Sequence, residues 1–201
     1  YPARSFVPFL VDDYDNYEPA YHDQPMADRI QRAKTLLTEA GYGSDKSLHV
    51  TLRYFEGADA KRTNLAIASF WKQIGVTTEL HQSELKVHFS DLRQGDFEVA
   101  QAGWIGENNA AHYLDLLVSD AGNVNYGRFQ DPEYDTLMAE ARCLPGIAER
   151  NELMHQAEKV GLDQFPVVPL WSVAVKRLVD PKLKGWHENP RDVHPARFLS
   201  W

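Results

Sequence analysis

With 201 residues, the chain is long enough for one large domain or two small ones around a substantial core. Its 29 acidic side chains outnumber 21 basic ones for a formal charge of −8, which argues against a nucleic-acid surface and weakly favours cationic or zwitterionic ligands. Cys143 is the single cysteine, so neither an internal disulfide nor a cysteine-based zinc cluster is available.

No apolar run approaches the length that spans a bilayer. The opening stretch, YPARSFVPFLVDDYDNYEP, lacks the charged start and uninterrupted apolar core of a signal peptide and reads like the middle of a protein. Its prolines at 2, 8 and 19 and its five aromatics predict an extended strap lying on apolar surface. The expected organisation is a strap or hinge-proximal segment over 1–24, an α/β lobe over 25–180 and a tail over 181–201 that packs on the lobe.

Residues 25–40, PMADRIQRAKTLLTEA, predict a helix: Pro25 suits a first turn, Met26, Ile30, Ala33 and Leu37 recur at helical spacing, and Gly41 is a natural stop. LHVTLRYF (48–55) alternates and is rich in β-branched and aromatic residues, which predicts a strand. A helix follows over 59–74, capped by Asp59, burying Leu65, Ala68, Phe70 and Trp71, and ended by Gly75. VTTEL (76–80) is a second strand, so the three elements form a βαβ unit with a parallel pair and a right-handed crossover.

A short helix over 85–92, closed by Gly95, leads to a third strand, FEVAQAGW (97–104). Another short helix is expected over 110–118. Asp131 and Pro132 then open a helix that runs to Cys143, and residues 148–163 supply one more with Leu153, Ala157 and Val160 inside. FPVVPLWSVAVKRLV (165–179) is strand-like but interrupted by proline, which favours a sheet edge or a bend between strands. The remainder is loop-rich, and no internal repeat, low-complexity segment or flexible linker is evident.

The third strand runs into AGWIGENNA (102–110), where two glycines bracket a tryptophan and a carboxylate follows. Glycines 103 and 106 permit unusual backbone angles and close approach of another molecule, Trp104 offers a flat face with a donor, and Glu107 an anion. A ligand contact and a loop whose tryptophan closes a core are balanced readings. The position is what brings the first level with the second, since ligands of open α/β sheets gather at the carboxyl ends of strands.

Other chemistry is thinner. Eight histidines show no metal-ligand spacing: His81 and His88, like His187 and His194, are seven residues apart. No GxSxG elbow supports a serine nucleophile, and Cys143 reads as a small helix residue. GYGS (41–44) follows a helix instead of preceding one, so it is expected to be a helix stop and not a phosphate loop. Carboxylate pairs such as Asp12 with Asp13, or Glu107 with Asp115, have no pattern that fixes their geometry. Lys61 and Arg62 oppose the helix dipole in a first turn, where solvation or an anion such as a peptide carboxylate would offset the cost.

The ordered series AKTLLTEAGY, LAIASFWKQIGV, DLRQGDFEVAQAGW, PEYDTLMAEA, AERNELMHQAE and FPVVPLWSV resembles the C-terminal part of the oligopeptide-binding proteins, the family 5 extracellular solute-binding proteins that serve ATP-driven peptide importers. The resemblance covers most of the chain. It implies an α/β, periplasmic-binding-protein-like lobe with a mixed sheet flanked by helices, one half of a hinged receptor whose other, N-terminal lobe precedes this sequence. It also implies a periplasmic or cell-surface location, a membrane permease as partner, no cofactor and no catalysis.

In peptide-binding relatives an aspartate in the turn after Gly-Trp pairs with the peptide's α-ammonium, and Glu107 matches it with one methylene more. Gly103 and Trp104 match its neighbours. Gln101 stands where relatives can carry an arginine for the carboxylate of short peptides, and Arg62 falls near a position that can also meet it. Asn108 begins Asn-Asn-Ala-Ala in place of an acidic, proline-containing turn, which leaves room for a modified peptide or another amine-bearing solute. Rival readings are a ligand-sensing domain of a DNA-binding regulator and, less favoured, an enzyme acting on peptides.

Overall fold

The computed structural model describes residues 1–173, 176–187, 189 and 192–201. The chain gathers into two units, residues 20–103 with 126–128, and residues 1–19 with 104–125 and 129–201. The sequence expectation is one lobe over 25–180 between a strap and a tail.

The first unit runs α1 (Met26–Glu39), β1 (Leu48–Phe55), α2 (Ala58–Lys72), β2 (Val76–Ser83), α3 (Leu85–Gln94) and β3 (Val99–Ala100). Its strands lie in the order β2-β1-β3. β1 pairs with β2 from Leu48↔Val76 to Phe55↔Ser83, and with β3 at Leu52↔Val99 and Arg53↔Ala100. Where a mixed sheet is expected, both of these pairings are parallel, and antiparallel partners occur as isolated bridges outside the named strands.

The glycine punctuation predicted from sequence is present. Gly41 takes φ 84° after α1, with Tyr42 N–H reaching Leu37 O at 2.9 Å, so GYGS is a helix stop. Gly95, at φ 76°, ends α3 in the left-handed conformation.

Three local expectations are corrected. α2 starts from Gly57 with no side-chain cap, and Asp59 sits in the first turn, paired with Arg62. The buried stripe of α2 is Ala60 and Asn64, continued by half-buried Ile67 and Trp71 at helical spacing, so Leu65 and Phe70 fall off it and are 50% and 63% exposed. The third strand stops at Ala100 instead of reaching Trp104, because Ala102 and Gly103 offer little side chain to pack against a sheet.

The second unit contains α4 (Ala111–Leu114), which tightens into a 3-10 turn over Asp115–Leu117, then α5 (Pro132–Cys143) and α6 (Ile147–Asp163). Asp131 caps α5, accepting Tyr134 N–H at 2.9 Å. Tyr134 is fully buried, donates its hydroxyl to Leu114 O at 2.6 Å, and lies against Gly161, where an added Cβ would meet the ring at 3.1 Å. Met138 and Ala141 of α5 and Met154 and Ala157 of α6 complete this core, which Val7 and Val11 of the strap enter as well.

What draws the strap in is one buried carboxylate. Glu158, 1% exposed, accepts Phe6 N–H at 2.9 Å and Val7 N–H at 2.8 Å on Oε1, and Tyr14 Oη–H at 2.9 Å and Tyr17 N–H at 3.1 Å on Oε2. Burial raises its pKa above the ordinary glutamate range while these hydrogen bonds pull the other way, and burial also pushes the Tyr14 hydroxyl far up. Residues at helical spacing along α6 extend the attachment. Asn151 donates to Asp13 O, His155 Nδ1 bonds Asp15 O at 2.8 Å, and Asp163 accepts the Tyr17 hydroxyl at 2.7 Å.

The start of the strap also lies along the proline-rich segment: Pro2 bridges Trp171 antiparallel, with Ala3 N–H to Leu170 O at 3.1 Å and Ser172 N–H to Tyr1 O at 2.8 Å. Where a proline-interrupted strand at a sheet edge or bend is expected over 165–179, the described residues of that stretch pair through this one bridge, and positions 174 and 175 of that expectation lie outside the described residues. In the tail, Lys184 bridges Ser200, and Trp186 stacks on His194 with ring centres 3.5 Å apart.

Replacing Glu158 with Gln keeps the volume but turns an amide toward one pair of donors, so urea denaturation is expected to show a loss on the order of 2–4 kcal/mol. Asp131 gives a pH signature. Hydrogen bonds from Gln164 and Tyr134 hold its carboxyl below the ordinary aspartate range, so its contribution is full above that range and is lost as pH falls through the lowered value. The stability gap between wild type and Asp131→Asn should therefore be constant near neutrality and shrink below about pH 4 in acid titrations followed by circular dichroism.

Candidate functional site

Gly103 is the last residue of its stretch of the first unit and Trp104 the first residue of the second, so the six candidate residues divide between the units. Gln101, Gly103 and Arg62 belong to one, and Trp104, Glu107 and Asn108 to the other.

In the first unit Gln101 is held from three sides. Its N–H donates to Arg53 O at 2.8 Å, its carbonyl accepts from His88 Nε2 at 2.7 Å, and its side-chain Oε1 accepts from Asn64 Nδ2 at 2.7 Å. Asn64 Nδ2 also reaches Ala60 O at 2.8 Å, which fixes the orientation of the Asn64 amide. With Oε1 engaged, the Gln101 amide has its NH2 group left as a donor. Asn64 and His88 are both 0% exposed, and neither is among the residues that the sequence nominates for ligand binding. The available signal was a polar residue inside an apolar helical stripe: Asn64 four after Ala60, and His88 four before buried Leu92. Arg62 is turned to Asp59 of its own helix at the surface, and an added Cβ on Gly103 meets open space.

In the second unit, residues 104–109 form a turn built from side chains. Glu107 N–H donates to His112 Nδ1 at 2.9 Å, so the proton of the neutral ring is on Nε2. Asn109 N–H returns to Glu107 O at 2.8 Å, and Asn109 Oδ1 accepts Ala111 N–H at 3.0 Å at the start of α4. Asn108 makes two bonds to the strap: Oδ1 accepts Asp12 N–H at 2.8 Å, and Nδ2 donates to Asp12 Oδ2 at 2.6 Å. Glu107 lies at the surface, and Trp104 is 44% exposed, so its ring is not closing a core.

The glycines serve differently from expectation. Neither 103 nor 106 is among the glycines with positive φ. Gly106 is needed for close approach, because a Cβ there would come within 2.5 Å of Tyr113 Cζ, and the Tyr113 hydroxyl bonds the Gly106 backbone.

The histidines and cysteine singled out in the sequence have other surroundings. His88 bonds Gln101, His194 stacks on Trp186 and bonds Asp192 at 2.9 Å, and Cys143 is exposed. Among the described residues no group of three or more His, Cys, Asp or Glu is placed to hold a metal ion.

Comparison with known proteins agrees with this architecture. Residues 1–125 match the family described as bacterial extracellular solute-binding proteins, family 5 (middle). The chain is 35% identical to the periplasmic murein peptide-binding protein MppA of Escherichia coli over 98% of its own length, and 33% identical to the periplasmic oligopeptide-binding protein OppA of Salmonella typhimurium over 92%. It spans 37% and 34% of those two relatives. The crystal structure of Haemophilus influenzae OppA in complex with the peptide RPPGFSPFR superposes with a TM-score of 0.86 at 30% identity, covering 98% of this chain and 40% of that one.

A Gly106→Ala variant should force the Tyr113 ring or the turn to move. Thermal unfolding is expected to show a loss of about 1–3 kcal/mol, whereas Gly103→Ala, facing open space, should stay within about 0.5 kcal/mol of wild type.

Proposed function

Because the chain belongs to the family 5 bacterial extracellular solute-binding proteins, we propose that it forms part of the substrate-binding component of an ATP-driven peptide importer. In this reading the complete protein captures oligopeptides in the periplasm or at the cell surface by hinge closure and delivers them to a membrane permease. Its partners are the peptide, an N-terminal lobe and that permease, and no catalytic step is involved.

The observation that carries the reading is the Glu107 turn. A carboxylate is presented at the surface on a backbone fixed by His112 on one side and by Asn108 on the other, three residues after a half-exposed tryptophan. An anion on a backbone already fixed suits an α-ammonium, since little ordering of the main chain remains to be done on binding. Glu107 is assigned to the ligand's amino terminus, Trp104 to the wall of that pocket, Asn108 to the turn, and Gly103 to the backbone leading into it.

Gln101 is assigned to the ligand's carboxylate or a backbone carbonyl, because its amide keeps donors available after Asn64 has engaged the oxygen. Arg62 is a second candidate for the carboxylate, and it would exchange its surface pair with Asp59 for that contact at small cost.

Isothermal calorimetry of the intact protein with trialanine, N-acetyl-trialanine and a Glu107→Gln variant tests the assignment. Acetylation and substitution should each weaken binding about tenfold or more, roughly 1.4 kcal/mol, and should not add. Equal affinity in all three measurements would remove Glu107 from the role.

A further inference from the structure

We propose that Asp12, on the strap, is a positioning residue for the ligand-binding turn: its two-point clasp with Asn108 sets where Glu107 presents its carboxylate. The inference rests on the assignment of Glu107 to the ligand's ammonium. It adds a residue 95 positions away in sequence, whose part is to hold the turn and not to touch the ligand.

Asn108 directly follows Glu107, and both hydrogen-bonding atoms of its amide are committed to Asp12, at 2.8 Å through the Asp12 N–H and 2.6 Å through Oδ2. Two bonds to one planar group fix its orientation as well as its position. The Cα of Asn108 is therefore located, and with it the C-terminal side of Glu107. The N-terminal side is held independently by His112. Removal of either support leaves the carboxylate on a backbone that must be ordered when the ligand arrives.

Asp12 is itself at a fixed corner. Val11, just before it, is buried in the core at 6% exposure. Asp13, just after it, takes φ 56°, a left-handed conformation that an L residue rarely adopts, and its carbonyl accepts from Asn151 of α6. The chain is thus bent at the residue that turns Asp12 toward the turn, and the bend is fastened to a helix.

The Asp12 side chain contributes one acceptor to the clasp, and the other bond comes from its backbone N–H. A neutral amide at position 12 can supply the same acceptor, so the clasp does not need the negative charge. This separates positioning from the alternative in which Asp12 is a second counter-charge for a cationic ligand.

The experiment uses the intact protein, with trialanine and N-acetyl-trialanine as probes in calorimetry and circular dichroism to verify folding. Asp12→Ala should weaken trialanine binding about tenfold and leave N-acetyl-trialanine unchanged, while Asp12→Asn stays within about twofold of wild type. Asn108→Ala should match Asp12→Ala, and the double variant should lose no more than either single one. Asn108→Ala, at an exposed position, decides the matter if Asp12→Ala does not fold. Wild-type binding by Asp12→Ala or by Asn108→Ala overturns the clasp. Equal losses in Asp12→Asn and Asp12→Ala overturn it in favour of charge. If Glu107→Gln also binds like wild type, the ammonium assignment fails and this inference goes with it; if Glu107→Gln is weak and Asp12→Ala is not, this inference alone fails.

Discussion

A carboxylate taken out of water must recover several hydrogen bonds or be neutralised, and Glu158 recovers four, every one from the strap. The rest of the second unit follows from that demand. Phe6 and Val7 are held by their backbone amides, so Val7 and Val11 enter the core beside Met138 and Met154. Tyr14 and Tyr17 are held further along, and the intervening corner comes to lie beside Asn151. A segment with three prolines and no regular structure is thereby given a fixed course that an apolar face alone would not dictate, since apolar contact is nondirectional and hydrogen bonds are not.

The same logic recurs at the candidate site on a smaller scale. The turn after Trp104 has no sheet ladder or long helix to hold it, and its backbone groups are satisfied by His112, Asn109 and Asn108 instead. Gln101, in the other unit, is likewise held by the side chains of His88 and Asn64 together with the main chain of β1. Residues that carry polar partners of this kind lose little freedom when a further contact is made.

Elements that bring their own punctuation are legible in the sequence. Leu48–Phe55 alternates apolar and polar residues as far as Tyr54, Asp131 and Pro132 open α5, and Gly41 and Gly95 stop their helices in the left-handed conformation. The buried face of α2 is not legible, because Ala60 and Asn64 look weaker than Leu65 and Phe70 on any scale of hydrophobicity, and only the sheet beneath selects between them. Glu107, Trp104 and Gly103 stand out as a local cluster of unusual types. Asp12 and Glu158 do not, since an acidic residue in an acidic chain carries no mark of the distant partner that gives it meaning.

Val7 and the carboxylate that holds it are 151 residues apart in the chain. At roughly 5–20 residues per second of synthesis, the strap leaves the ribosome about 8–30 seconds before its receptor helix exists. During that interval Val7 and Val11, both destined for the core, have no place to go, and neither do the amides that Glu158 will accept. Maturation of this unit is therefore gated by the completion of α6, the element that carries the strap's acceptor.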